Sequence, residues 1–274
     1  MANSLDQFID EQLVRGRAYF SRSEALAALA LKPAAFAAAA TRQIKKSRLA
    51  NPRHGFFLIL RPEDQAAGAP DPTRWIDPLM KYQGIEYRVS LLRAAAFHGA
   101  SHQAAMTFQV VVPKQLRAFE IGKYRLEFLY QAPEAFAESN HSDLLEHIKS
   151  ESGFAKVAGA ELTLLDCVRY FHKATGLSGV AQIVKDIGAK ANPRRLAKAA
   201  CAYENSVVRR LGFLLEHVGH KHQSRALEPF LRQAKATVLL DPAVKPLFGA
   251  RGGHSYEKDG KWKLEINEHL EIDF

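Results

Sequence analysis

Cysteine is scarce. Two occur in 274 residues, Cys167 and Cys201, both inside apolar helical patterns and neither in a CxxC spacing. That count excludes a disulfide framework, and the pair reads as reduced core residues of a cytoplasmic protein. No run of eighteen apolar residues occurs, so no membrane-spanning helix is expected. The opening "MANSLDQFIDEQL" lacks a basic patch followed by an apolar core, and no secretory leader is expected from it. A glycine-rich phosphate loop is missing as well. "GARGG" (249–253) precedes no predicted helix and lacks the Lys-Ser/Thr ending that would grip a phosphate.

Acid is missing from one place in particular. Between Arg17 and Arg61 stand nine Lys or Arg against one acid, Glu24, a surplus of eight in a chain whose whole net charge is +9. A solvated basic face normally mixes both signs, so a surplus confined to one small module points to a polyanion.

That module, residues 1–62, carries its own periodicities. "SLDQFIDEQLV" has Ser4 as cap and Leu5, Phe8, Ile9 and Leu13 as one stripe, which predicts a helix. A short extended "AYF" follows, then a second helix, "SEALAALA", capped by Ser21 or Ser23. Leu31 and Lys32 make a turn, and Pro33 suits the first position of a third helix. On that helix Phe36, Ala37, Ala40 and Ile44 are expected inward, with Ala35, Ala38, Ala39, Arg42, Gln43 and Lys46 outward. "NPRHG" is a turn cluster and "FFLIL" a buried strand. Helix, helix, turn, helix, hairpin is the order of a winged helix-turn-helix. A third helix entering the major groove needs a small exposed face. Alanine methyls suit thymine methyls, and Arg42 and Gln43 can reach base edges. Lys45, Lys46, Arg48 and the hairpin-tip Arg53 and His54 are then placed for phosphates, which orient the protein but specify no sequence.

Beyond it, "EDQAAGAPDPTRW" (63–75) is rich in Ala, Pro, Gly and Asp and reads as a linker. The remainder, 76–274, is mixed. "VSLLRAAAFHGA" is a helix stopped by Gly99, "TFQVVVP" a buried strand, and "LRAFEIGKYRLEFLY" two strands joined at Gly122-Lys123. A further hairpin is expected near Gly153. From Ala160 on, "AELTLLDCVRYF", "GLSGVAQIVKDIG", "NPRRLAKAACAYE", "NSVVRRLGFLLEHVG" and "SRALEPFLRQA" have helical spacing, and "TVLL" and "KWKLEINEHLEIDF" return to strand. The expected class is therefore α+β: a winged helix-turn-helix followed by a larger mixed domain with a helical carboxy-terminal part.

Candidate chemistry is thin. His98 and His102 are four apart, but Gly99 interrupts their helix and no acid follows closely, so no metal site is expected. His217, His220 and His222 gather at a helix end, where the dipole favours them. Glu161 and Asp166 are five apart and do not share a helical face, which argues against paired acid/base work. Arg209 and Arg210, with Arg194, Arg195 and Lys198, form a second cationic region diluted by acids. No catalytic residues, metal or cofactor are expected, and the chain does not read as an enzyme.

Taken in order, "RAYFSRSEALAALALKPAAFAAAATRQIKKSRLANPRHGFFLIL", "EYRVSLLRAAAFHGASHQ", "TFQVVV", "VAGAELTLLDCVRYFHKATGLSGVAQIVKDI", "VVRRLGFLLEHVG" and "WKLEINEHLEIDF" resemble the AbiEi family of antitoxins from type IV toxin–antitoxin systems. The resemblance runs from about Arg17 to Phe274. It implies an amino-terminal winged helix that binds inverted repeats in double-stranded DNA and represses its own operon. It further implies a carboxy-terminal domain that opposes a nucleotidyltransferase-like toxin, with or without direct contact, in phage defence or plasmid maintenance. By the resemblance Thr41, Arg42, Gln43, Lys45 and Lys46 sit at the reading end of the third helix, and Arg48, Arg53 and His54 belong to the wing; Lys32, in the turn before that helix, is counted with the DNA-binding residues. The alanine-rich outward face departs from family members that carry polar residues there, and favours shape readout. A regulator whose larger domain senses a small ligand is the second reading, and it requires an apolar pocket with converging polar groups.

Overall fold

The computed structural model describes residues 4–100, 107–150, 153–244 and 257–272, and the chain divides into two compact units. The first comprises Met1–Val89, Ala105–Ala132 and Glu146–Val157, the second Ser90–Ala104, Pro133–Leu145 and Ala158–Phe274. The fold is α+β.

The first unit opens with the predicted order of elements. Helix α1 (Leu5–Val14) starts where the Ser4 hydroxyl accepts the Gln7 backbone N–H at 3.3 Å, and buries Leu5, Phe8, Ile9 and Gln12 along one stripe. After β1 (Tyr19–Ser21), Ser21 and Glu24 form a capping box that begins α2 (Arg22–Leu29). The chain turns through 112° into α3 (Pro33–Lys45). Ala30 takes the left-handed conformation at the exit of α2, and Pro33 supplies the preset φ at the entry of α3. Strands β2 (Leu49–Arg53) and β3 (Phe56–Ile59) follow, and the three-stranded sheet is ordered β1-β3-β2, antiparallel throughout. Gly55 turns the β2–β3 connection at φ +78°, and a Cβ there would stand 2.5 Å from the Tyr82 hydroxyl. The core is aromatic. Phe20 meets Phe8 edge-on at 5.3 Å and stacks on Phe57 at 5.4 Å, and Phe36 meets Phe57 at 5.5 Å.

The buried stripe of α3 differs from the sequence reading. Phe36, Ala40 and Gln43 point inward, whereas Ala37 is exposed and Ile44 is 40% exposed. Phe36, Ala40 and Gln43 are spaced four and three apart, so the true face is a single helical stripe. The run of alanines gave no contrast from which to place it.

Residues 63–75, expected as a linker, are folded. They contain the end of a short helix α4 (Pro62–Gln65) and a 3-10 turn (Pro72–Arg74). Buried Trp75 donates its indole N–H to the Pro70 carbonyl at 2.9 Å, and Asp64 pairs with Arg74 at 3.3 Å. Helix α5 (Ile76–Gln83) then ends at Gly84 in the left-handed conformation. The rest of this unit is a six-stranded mixed sheet of β4 (Arg88–Val89), β5 (Thr107–Val112), β6 (Phe119–Ile121), β7 (Tyr124–Tyr130), β8 (Leu145–Ser150) and β9 (Gly153–Ala158), ordered β6-β7-β5-β4-β9-β8. β5 and β7 run parallel from Thr107↔Arg125 to Val112↔Tyr130. Val110, Val111 and Val112 are consecutive and fully buried, so this strand is covered on both faces.

The second unit is mostly helical: α6 (Leu91–Phe97), α7 (Pro133–Ser139), α8 (Ala160–Arg169), α9 (Gly176–Ile187), α10 (Pro193–Ala200), α11 (Asn205–His217) and α12 (Lys221–Arg225). A small sheet, ordered β10-β12-β11, joins β10 (Val238–Leu239), β11 (Glu257–Asp259) and β12 (Leu264–Ile266). Helix α8 is its centre, buried on every side from Ala160 to Val168. Polar groups survive there only because each is bonded. Asp166 accepts from the Ser90 and Tyr203 hydroxyls, both at 2.7 Å, and Glu161 accepts the Asn192 N–H at 2.7 Å. "SRALEPFLRQA" splits into α12 and a 3-10 segment (Glu228–Gln233), because Pro229 has no N–H to continue the ladder.

Candidate nucleic-acid interface

The cations of the first unit divide into two groups. One is spent on the fold. Arg17 pairs with Glu24 at 2.8 Å and Arg61 with Glu63 at 3.7 Å. Arg48, expected to meet phosphate, instead bridges Asp6 and Asp10 of α1. Arg53, expected at the hairpin tip, lies 4.1 Å from the ring centroid of Phe119 and donates to the Arg117 carbonyl at 2.7 Å. Burial there lowers the affinity of its guanidinium for its proton. Both arginines belong to the architecture, and their partners lie 38 to 66 residues away in the sequence.

Gln43 is corrected in the same way. Its amide is buried and donates to Asp6 at 2.9 Å, so it cannot also read a base edge. Asp6 therefore holds both Gln43 and Arg48, and ties α1 to the end of α3.

The other group is free of carboxylates. Among the described residues no ion pair engages Arg22, Lys32, Arg42, Lys45 or Lys46. Lys32, at the cap of α3, and Thr41, Arg42, Lys45 and Lys46, at its far end, are exposed, with Ala34, Ala35, Ala37 and Ala38 between them. The Thr41 hydroxyl donates back to the Ala37 carbonyl at 2.9 Å and still has lone pairs to offer. His54 is exposed at the β2–β3 turn, its carbonyl accepting the Tyr82 hydroxyl at 3.3 Å. A groove of about 240 Å3 runs between α3 and this turn, lined among others by Arg22, Ala37, Thr41, Ile44, Asn51 and His54. Charge counting alone gives Arg22 no place in the site; the structure leaves it in the groove because Glu24, the one acid nearby, is committed to Arg17 and to the Ser21 cap.

Elsewhere the remaining candidates serve the fold. Arg209 donates to the carbonyls of Ala236 and Lys263, and Arg210 to those of Leu239 and Leu240. Neither is the surface cation the sequence suggested. His98 is buried against the Ala158 carbonyl at 2.8 Å, while His102 and the 249–253 loop lie outside the described residues. His220 meets the Lys185 carbonyl at 2.9 Å, and burial pushes the Cys167 thiol up, away from reactivity. Among the described residues no cluster of His, Cys, Asp or Glu is placed to hold a metal, and no single helix is long and apolar enough to cross a membrane.

Residues 88–217 match the family model of the AbiEi antitoxin C-terminal domain. The chain carries a domain of the AbiEi family. This segment runs from β4 to the end of α11, and takes in the buried Asp166 and Glu161 of α8. The matched family is one of antitoxins, regulatory rather than catalytic. Among solved structures, the crystal structure of the RV2827C protein from Mycobacterium tuberculosis superposes with a TM-score of 0.62 at 12% identity, covering 94% of this chain and 89% of that one. The likeness is one of fold. No curated protein matches the chain.

Proposed function

We propose that this AbiEi-domain chain is a DNA-binding antitoxin that represses its own operon at inverted repeats and counteracts a nucleotidyltransferase-like toxin. Residues 1–62 act as a winged helix-turn-helix and residues 76–274 as the antitoxin domain, joined through the folded 63–75 segment. The observation that carries the DNA reading is the exposed face of α3: small side chains flanked by Lys32, Arg42, Lys45 and Lys46, none in an ion pair among the described residues. The 112° turn between α2 and α3 supports it, since it is the angle at which a helix-turn-helix presents its second helix to a major groove. Arg42 is then the one long polar side chain at the base edges. Lys32, Lys45, Lys46, Arg22 and His54 contact phosphates, and Thr41 makes a short polar contact.

A mobility-shift titration with the promoter-proximal DNA of its own operon, against scrambled DNA, tests this at two salt concentrations. The expected result is preferential, two-step binding, two protomers sitting about 34 Å apart or a multiple of it. Each phosphate contact should contribute a slope of about −0.9 in log affinity against log salt. Equal binding to scrambled DNA would remove the reading.

A further inference from the structure

A cavity of about 600 Å3 lies within the first unit, with no residue of α3 in its wall. Its walls come from four elements: Tyr19 on β1, Asp77, Pro78 and Lys81 on α5, His147 on β8, and Gly153, Phe154 and Lys156 on β9. The volume is that of a small-molecule site. Its chemistry is lopsided. Asp77 is already committed, one oxygen to the Tyr87 hydroxyl at 3.1 Å and the other to Lys81 at 2.6 Å. Lys156 gives one bond to Glu86 at 2.6 Å. An ammonium has three N–H donors, so Lys81 and Lys156 each keep two unspent. The cavity thus offers the unspent donors of two ammonium groups, with Asp77 holding one bond on each of its oxygens. Beside them stand aromatic rings. Phe154 is 55% exposed and meets His147 edge-on at 6.3 Å, and Tyr19 is backed by Phe56, stacked at 5.5 Å and 14°. An exposed phenylalanine in a cavity wall, next to unspent ammonium donors, is what a flat ring with an attached anion would cover.

We infer that this cavity binds a small planar anion, an aromatic ring carrying a phosphate or a carboxylate. The ring lies against Phe154, Tyr19 and His147, and the anion takes the free N–H donors of Lys81 and Lys156. The inference is independent of the DNA reading, because it concerns a different surface and is read by direct binding.

Calorimetric titration of the full chain tests it. The ring phosphates are phenyl phosphate and 1-naphthyl phosphate, and the ring carboxylates are benzoate and indole-3-carboxylate. Phenol and inorganic phosphate carry one feature each. The expected result is one site per chain for at least one ring anion, with Kd of about 100 µM or tighter, and at least about tenfold weaker binding of the single-feature compounds. Which arm binds distinguishes phosphate from carboxylate. K81A and F154A, both at exposed positions, should each weaken that binding by about tenfold or more, and carry the test even if K156A loses its fold. The inference is overturned if every ring anion binds more weakly than about 1 mM, if the bare ring or free phosphate binds as tightly, or if K81A and F154A leave affinity unchanged.

Discussion

Asp6 accepts from both Gln43 and Arg48, joining the first turn of α1 to the end of α3 and the strand entry after it. One carboxylate therefore fixes the attitude of the helix that carries the free cations. Asp6→Ala should leave the Gln43 amide buried without a partner and Arg48 with Asp10 alone. A loss of about 1–3 kcal/mol is expected, measured by urea denaturation of the full chain. An unchanged midpoint would mean that α3 is held by its apolar stripe alone.

Arg53 and Lys46 should behave oppositely. Arg53→Ala removes a cation–π contact to Phe119 and a bond to the Arg117 carbonyl, and should cost about 1–2 kcal/mol of stability while leaving the salt slope of DNA binding in place. Lys46→Ala should leave the denaturation midpoint within about 0.5 kcal/mol and lower the salt slope by about one contact. Reversal of this pattern would return Arg53 to the DNA surface.

Arg42→Ala is expected to relax sequence preference. A bidentate base contact is worth about 1–3 kcal/mol of discrimination, so the ratio of operator to scrambled affinity should fall by about tenfold or more. Gln43→Ala should not change that ratio, and should appear in the denaturation curve instead. Side-by-side mobility shifts and melts of the two variants separate these outcomes.

Phe57 touches both Phe20 and Phe36 at the centre of the amino-terminal core. Phe57→Ala should cost about 3–5 kcal/mol, enough to unfold much of this unit near physiological temperature. Loss of protection in α1 and α3 by hydrogen exchange, with α8 still protected, is the pattern that two compact units predict.

A pH dependence is expected at Glu216. Bonds from the Lys261 ammonium, and then from the indole N–H of Trp262 at 2.8 Å, hold its carboxyl below the ordinary value of 4.5. Because the folded-state value is depressed, this contribution is fully present above about pH 4.5 and is lost as the pH falls through the folded value. The stability difference between the wild type and Glu216→Gln should shrink as the pH falls below about 4.5. Trp262 fluorescence gives a local readout, and a difference that stays constant with pH would contradict the assignment.

The sequence made the elements of this chain legible because caps and stripes are local signals. Ser4, the Ser21–Glu24 box, Pro33 and Gly84 each stand where a helix begins or ends. It was less informative about which cations are available. Charge counting treats all nine basic residues from Arg17 to Arg61 alike, whereas Arg48 and Arg53 are claimed by groups far along the chain. Gln43 and Ile44 exchanged their expected faces for a similar reason. Hydrophobicity favours an inward Ile44, but Asp6 offers the Gln43 NH2 group an acceptor inside, although the Gln43 Oε1 is buried without a partner. The cavity walled by Tyr19, Lys81, Phe154 and Lys156 left no trace in the sequence, since its residues come from four separate elements.

The outer face of α3 takes no part in the core. Ala34, Ala35, Ala37, Ala38 and Arg42 are exposed, while Phe36, Ala40 and Gln43 are buried and Ala39 packs partly against the core. On the proposed DNA reading, recognition and folding are thus written on opposite sides of one helix, in separate alphabets. Substitutions that retarget the surface need no compensating repair inside, and sister proteins can diverge in what they recognise while keeping the same scaffold.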